Sequence, residues 1–383
     1  MASSSVWVGN RGTVKDFHGI NAGKDADDIR KAIKGIGTDE QTLINIIPQR
    51  SNAQRQLICK EYKTAYKSVS PQETLLVSFA CIQCFKKCSE MKGQTSRPLM
   101  TRINEHRSNI KNKWETNALY HHVLQHQQAQ FMFMVIDRIV GDRSNPQGWH
   151  SILNHKPWTH RKVNKGSGTD EPTLIEILAS RNNCQKKEIL LAYQTAFGRI
   201  LGDDISSDTS GDFKKCLLLL KEGTRDENPN VDENLAKSDA QALYQAGEGK
   251  WGTDEHKFIH ILCMKSISQL RRTFEEYRKM CNKDIEESIK GEMSGTLEHV
   301  LLAVVKCVKN TPAFFAERLW KSMKGAGTDE ATLTRIMVSR SEIDLQDIKA
   351  EYKKLYGTSL NQSINSDTSG DYRTTLLKIC GGD

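Results

Sequence analysis

The chain has 383 residues, 37% of them hydrophobic and 27% charged, with a formal net charge of +8. That length is ample for several small helical bundles. No apolar run reaches the roughly eighteen residues of a membrane-crossing helix, so any membrane attachment is expected to be peripheral. The opening MASSSVWVGN lacks the charged-then-apolar pattern of a secretory signal, and ten scattered cysteines then read as reduced thiols of a cytoplasmic protein.

Following the chain, one tetrapeptide returns. GTDE starts at Gly37, Gly168, Gly252 and Gly327. Six, nine and ten residues past each glycine lie the trios Leu43/Ile46/Ile47, Leu174/Ile177/Leu178, Phe258/Ile261/Leu262 and Leu333/Ile336/Met337. This is helical spacing with a single buried stripe. Thirteen residues on come cations, Arg50, Arg181, Lys265 and Arg340, and twenty-five on come Tyr62, Tyr193, Tyr277 and Tyr352. Four segments therefore share one helix-turn-helix unit. Within them Cys59, Cys184, Cys216 and Cys263 sit in helical patterns that suggest core packing.

Forty residues past the glycine, three copies place an acid before a Ser-Gly turn: Asp208, Glu292 and Asp367. The first copy has Val77 instead. GTDE itself suits a helix start, with Thr as N-cap and acids in the first turn; Thr38 and Gln41 read as a capping box. Capping explains neither the glycines nor the distant acid. A loop such as KGAGT, residues 324–328, can turn several backbone carbonyls toward one point because glycine tolerates the required dihedrals. Calcium wants six to eight oxygens with a carboxylate anchor. One helix leading away, one crossing and one short helix returning would bring the acid back beside the loop. Copies two to four are therefore expected to bind calcium, and copy one is not.

The unit resembles the annexin repeat, in which Lys-Gly-x-Gly-Thr and an acid about forty residues later form the calcium and membrane signature. The resemblance covers residues 6–67 and 165–383. It implies an all-α fold of four helical repeats forming a curved disc, with calcium loops on the convex face. Carried over by position, it implies main-chain oxygens and one acid as ligands: Asn164, Gly166, Gly168 and Asp208 in repeat two; Gly247, Lys250, Gly252 and Glu292 in repeat three; Met323, Gly325, Gly327 and Asp367 in repeat four. It further implies calcium-dependent binding to anionic phospholipid, recruitment from the cytoplasm to plasma or vesicle membranes, self-association there, and inhibition of phospholipase A2 by covering its substrate surface. One side-chain charge per site implies a calcium affinity of about 0.1 mM or weaker without lipid. Trp251, at the apex of the third loop, is read as a ring inserting at headgroup level, the alternative being a ring packed on its own bundle. Trp7 suits either a plug or a mobile end.

The first interval between GTDE copies is 131 residues, against 84 and 75 for the next two. The resulting division is a tail at 1–22, a partial repeat one at 23–67, an atypical segment at 68–164, a partial repeat two at 165–230, repeat three at 231–308 and repeat four at 309–383. Repeat one is expected to lack its last two helices and repeat two its first, and Pro48 should disturb the second helix of repeat one. Residues 68–164 carry 13 Lys/Arg against 6 Asp/Glu, nearly the whole net charge, so the basic balance is no sign that the core seeks nucleic acid. This segment is expected to be poorly ordered. Cys81, Cys84 and Cys88 with His150, His155 and His160 leave open a zinc or nucleic-acid module there. An enzyme hydrolysing inositol cyclic phosphate is the other alternative, although no nucleophile elbow, metalloprotease motif or phosphate-binding glycine loop is present. A non-enzymatic role is expected.

Overall fold

The structure, a computed structural model, describes residues 11–33, 39–66, 170–249, 252–325 and 327–382. These contain sixteen α-helices, one short 3-10 helix and no strand. The first repeat contributes α1 (Ala22–Ile33), α2 (Glu40–Ile46) and α3 (Asn52–Ala65). The second contributes α4 (Glu171–Ser180), α5 (Asn183–Phe197), α6 (Leu201–Asp208) and α7 (Gly211–Lys221). In the third are α8 (Glu233–Ala246), α9 (Glu255–Met264), α10 (Ile267–Cys281) and α11 (Ile285–Glu292). Helix α12 (Gly295–Met323) closes the third repeat and opens the fourth, which continues with α13 (Glu330–Arg340), α14 (Leu345–Tyr356), α15 (Leu360–Asp367) and α16 (Gly370–Cys380). The expectations for residues 68–164, for the missing helices of repeats one and two, and for Trp7 lie outside the described residues.

All twelve residues of the four apolar trios are buried, none more than 7% exposed. The four repeat tyrosines are each at most 1% exposed and rank among the largest fully buried side chains. Their hydroxyls reach polar partners: Arg30 Nη1 donates to Tyr62 at 3.2 Å, and Tyr277 donates to Ser288 Oγ at 2.9 Å. A buried tyrosine needs such a partner, which ties the long crossing helix to its neighbours.

Local sequence explains where the helices start and stop. Capping boxes open α3 (Ser51 with Gln54), α5 (Asn182 with Gln185), α11 (Asp284 with Glu287) and α15 (Ser359 with Gln362). The crossing helices α5, α10 and α14 end on left-handed residues, Gly198, Asn282 and Gly357. Pro48 acts as expected: α2 stops at Ile46, and Ile47–Gln49 tightens to a 3-10 turn with the proline in its first turn. Helix α12 is two helices joined at Asn310 (φ −158°, ψ 96°). The Asn310 side chain accepts from the Ala313 amide at 3.0 Å, so Pro312 lies in the first turn of the second helix, where its missing N–H costs little.

The chain divides into two compact units, Met1–Asn117 with Phe315–Asp383, and Ala118–Phe314. In the first unit the stretch before α1 is strapped to both repeats. The Arg11 and Val14 amides donate to the Ile343 and Ser341 carbonyls, both at 3.0 Å, and the Thr13 hydroxyl donates to the Ile379 carbonyl at 2.6 Å. Gly12 passes so close to Glu342 that a Cβ would sit 2.5 Å from its backbone, so only glycine fits. Glu342 in turn accepts from the Asn52 amide at 2.8 Å and from Arg55 at 3.0 Å. Burial pushes the Glu342 carboxyl above its ordinary value despite Arg55.

In the second unit α8 packs along α10, and α7 lies against α9. The repeated cation is buried where it is arginine, as at Arg50, Arg181 and Arg340, and half-buried where it is Lys265. Arg50 makes a bidentate pair with Asp25 at 2.7 and 3.1 Å, Lys265 pairs with Asp239 at 3.3 Å, and Arg340 pairs with Asp344 at 2.7 and 2.6 Å. Cys59, Cys216 and Cys263 are buried as expected, but Cys184 is exposed. It occupies the first turn of α5, on the side facing solvent.

Candidate calcium site

Each GTDE loop must first be closed. The amide of its aspartate donates back across the loop, from Asp39 to the Ala32 carbonyl (2.9 Å), from Asp254 to Ala246 (2.7 Å) and from Asp329 to Ser322 (2.7 Å). The same aspartates are the helix caps. Asp39, Asp170, Asp254 and Asp329 accept from the amides of Thr42, Thr173, Lys257 and Thr332. This corrects the assignment of the cap to the threonine of GTDE and the Thr38–Gln41 capping box: the cap lies one residue later. Burial works against the charged form of Asp329, but the Thr332 hydroxyl and amide outweigh it and hold the carboxyl below its ordinary value.

Freed from capping, the threonine holds the distant acid. The Thr253 hydroxyl lies 2.9 Å from Glu292 Oε2 and 3.1 Å from the Glu292 carbonyl. In repeat four the Thr328 hydroxyl lies 2.6 Å from Asp367 Oδ2 and 3.0 Å from its carbonyl. Glu292 and Asp367 are the last residues of α11 and α15, and the chain turns to extended backbone just after each. The short returning helix thus delivers its final carboxylate to the mouth of the loop that began the repeat. Sequence reading missed this tether, although a threonine in all four copies beside a cap-competent aspartate was a visible signal.

The remaining expected ligands divide by whether the structure describes them. Gly252, Gly325 and Gly327 take φ values of +84°, +118° and +102°, with open space around each. These are the left-handed conformations that turn loop carbonyls away from the helix axis. A Cβ on Gly247 would meet Glu292 Cγ at 3.2 Å and the Phe258 ring at 3.4 Å, so this glycine borders the acid directly. Met323 is the last residue of α12 and is buried. Asp208 ends α6 as Glu292 ends α11, and accepts from the Ser207 hydroxyl at 2.8 Å. Asn164, Gly166, Gly168, Lys250 and Trp251 lie outside the described residues, as do Val77 and the glycines of the first loop.

These residues fit a hard dication held mainly by backbone oxygen. In repeats three and four one carboxylate is brought to a glycine loop and oriented by a hydroxyl. Among the described residues no three His, Cys, Asp or Glu side chains gather as a metal cluster, so a cation here would rest on one acid plus carbonyls. The other acid of loop three, Glu248, is engaged by Lys283 at 2.6 Å, which holds its carboxyl below the ordinary value. The zinc alternative in residues 68–164 lies outside the described residues. Among those described, no helix is long and apolar enough to cross a membrane.

The family profile named Annexin matches residues 24–68, 158–220, 238–304 and 314–379, the first stretch being shorter than the others. The chain is 50% identical over 380 residues to annexin A3 of Mus musculus, covering 99% of both chains. It is similar to a solved annexin III structure at 48% identity, with a TM-score of 0.76 and coverage of 99% and 100%. A calcium-bound annexin (Sm)1 structure is similar at 28% identity, with a TM-score of 0.69 over 97% of this chain and 93% of that one.

Proposed function

Because this chain belongs to the annexin family, whose members bind calcium and, with it, phospholipid membranes, we propose that it attaches to anionic membrane surfaces through the loops of repeats three and four. The observation that carries this is the delivery of Glu292 and Asp367 to their loops by Thr253 and Thr328. The ligand set proposed is Gly247, Lys250, Gly252 and Glu292, and Met323, Gly325, Gly327 and Asp367. Calcium held there would supply the positive charge that a lipid phosphate seeks.

The protein's own residues do the rest. The glycines free the carbonyls, the acid supplies the one charge, and the threonine keeps that acid aimed while it waits. A single charge per loop leaves calcium weakly held without lipid, so several loops acting together on one surface are needed for attachment. Asn164, Gly166, Gly168 and Asp208 are proposed as the equivalent site of repeat two, and Trp251 as a lipid-contacting ring. Residues 68–164 are proposed as a segment apart from the repeats. We further propose a cytoplasmic protein recruited to plasma or vesicle membranes, without enzymatic activity of its own. Phospholipase A2 would then be inhibited by covering its substrate, an effect that excess lipid should reverse. No observation favours the inositol cyclic phosphate reading.

The test is calcium-dependent co-sedimentation with phosphatidylserine vesicles. Glu292→Ala with Asp367→Ala should remove most of the bound fraction at a calcium concentration that saturates the parent. Equal binding by the double variant at the same calcium concentration would show that these acids are not ligands.

A further inference from the structure

Away from the calcium loops, the second unit buries a thiol pair that the proposed function does not use. Helices α7 and α9 pack against each other, and at their contact the sulfurs of Cys216 and Cys263 are 3.8 Å apart. Cys216 is fully buried and Cys263 is 3% exposed. Cations stand close by. Arg225 is anchored beside Cys263 by donating to the Leu262 and Lys265 carbonyls at 2.8 and 2.7 Å. Lys186, buried on α5, faces the same thiols, with Cys307 of α12 as a third sulfur in the neighbourhood. Burying a cation such as Lys186 costs solvation, and a positive charge beside a thiol favours its thiolate.

We propose that Cys216 and Cys263 form a peroxide-responsive pair that closes to a disulfide joining the second repeat to the third. The contact already present leaves the sulfurs about 1.8 Å to travel to the S–S bond length of about 2.05 Å, a distance that side-chain rotation supplies. The place of Arg225 assigns the roles: held on the Leu262 and Lys265 carbonyls, either side of Cys263 in the chain, its guanidinium favours a thiolate there. The two thiols share a hydrogen bond, and this contact with Cys216, aided by Arg225 and Lys186 and against the effect of burial, lowers the Cys263 thiol from its ordinary value. Cys216 is shifted upward by the same contact and by burial.

Cys263 thiolate therefore attacks one oxygen of hydrogen peroxide, the O–O bond breaks, and hydroxide leaves, giving a sulfenic acid on Cys263. The Cys216 sulfur then attacks the Cys263 sulfur. The S–O bond breaks, and the departing hydroxide takes the Cys216 proton as water. In sum, two thiols and one peroxide give a disulfide and two waters, with both sulfurs oxidised and peroxide oxygen reduced. Burial selects for a small oxidant, since glutathione disulfide would need the helices to part. The new bond closes a long loop between α7 and α9, which constrains the unfolded chain.

The experiment treats the full-length chain with hydrogen peroxide, traps remaining thiols by alkylation, and maps the peptides. A linked peptide pair containing Cys216 and Cys263, released by dithiothreitol, is expected, with the thermal midpoint raised by about 5 °C or more. Cys216→Ser should lack the link, Cys307→Ser should keep it, and Lys186→Met should slow its formation several-fold. Should a variant fail to fold, the peptide map of the unmodified sequence still decides. Free Cys216 and Cys263 in folded protein whose exposed Cys184 has been oxidised would overturn the proposal, and so would a link from Cys263 to Cys307.

Discussion

Replacing Thr253 and Thr328 together by valine removes two hydroxyls while keeping side-chain shape. Each hydroxyl donates to the carboxylate proposed to anchor calcium, at 2.9 Å to Glu292 and 2.6 Å to Asp367. Two effects compete. Losing the hydrogen bond frees a lone pair on the acid, which could strengthen metal binding; it also frees the acid to swing away from its loop. A carboxylate oxygen carries two lone pairs, so the hydroxyl and a cation can share it, and the first effect is small.

A hydrogen bond to a charged group contributes about 1.5–3 kcal/mol when buried. All four residues are only half-buried, which reduces the figure to about 1–1.5 kcal/mol per site, or roughly five- to twelvefold in affinity. That range meets the tenfold or greater loss common when the residue orienting a metal ligand is removed. The assay is co-sedimentation with phosphatidylserine vesicles over a calcium titration, with helicity by circular dichroism as the fold control. The half-saturating calcium concentration should rise about tenfold. A folded double variant with an unchanged or lower midpoint would refute the assignment of these threonines as positioning residues.

Lys186 is pushed by burial to about 8. A base with a depressed folded value binds fewer protons folded than unfolded, so its contribution to stability grows from pH 8 toward its unfolded value of about 10.4. Lys186→Met should therefore raise the stability measured by denaturant at pH 7 by about 2–3 kcal/mol and flatten that rise; a destabilised variant with the pH dependence intact would count against it. Asp25→Ala leaves Arg50, 7% exposed, without its bidentate partner. The expected loss is about 3–5 kcal/mol, read as a fall in thermal midpoint, and a fall within error of zero would show that the pair is replaceable. In a variant retaining Trp251 alone among its tryptophans, emission should shift to shorter wavelength only when calcium and anionic vesicles are both present. An unchanged spectrum in a variant that still binds would remove the insertion role.

The sequence alone was enough for the repeat, the all-helical fold and the acid that returns in repeats three and four. A stripe at helical spacing buries in one way, and four copies in register leave no other phase; the burial of every trio and every repeat tyrosine follows from that spacing. Pro48 likewise announced a shortened helix, because a missing N–H acts on the residues beside it. What local pattern could not decide was the division of labour inside GTDE. Threonine and aspartate are both good caps; aspartate takes the cap even in repeat one, where Val77 stands in place of the acid, and only folding brings Glu292 and Asp367 across thirty-nine residues to the threonine hydroxyls. The repeat cation was equally ambiguous, since a surface lysine and a core arginine look alike until a helix brings Asp25 or Asp239 against them. Cys216 and Cys263 are forty-seven positions apart and each reads as core filling; only the packing of α7 on α9 makes them a pair. Period and capping act between neighbours in the chain, whereas the tether, the buried ion pairs and the thiol contact arise between residues that folding brings together.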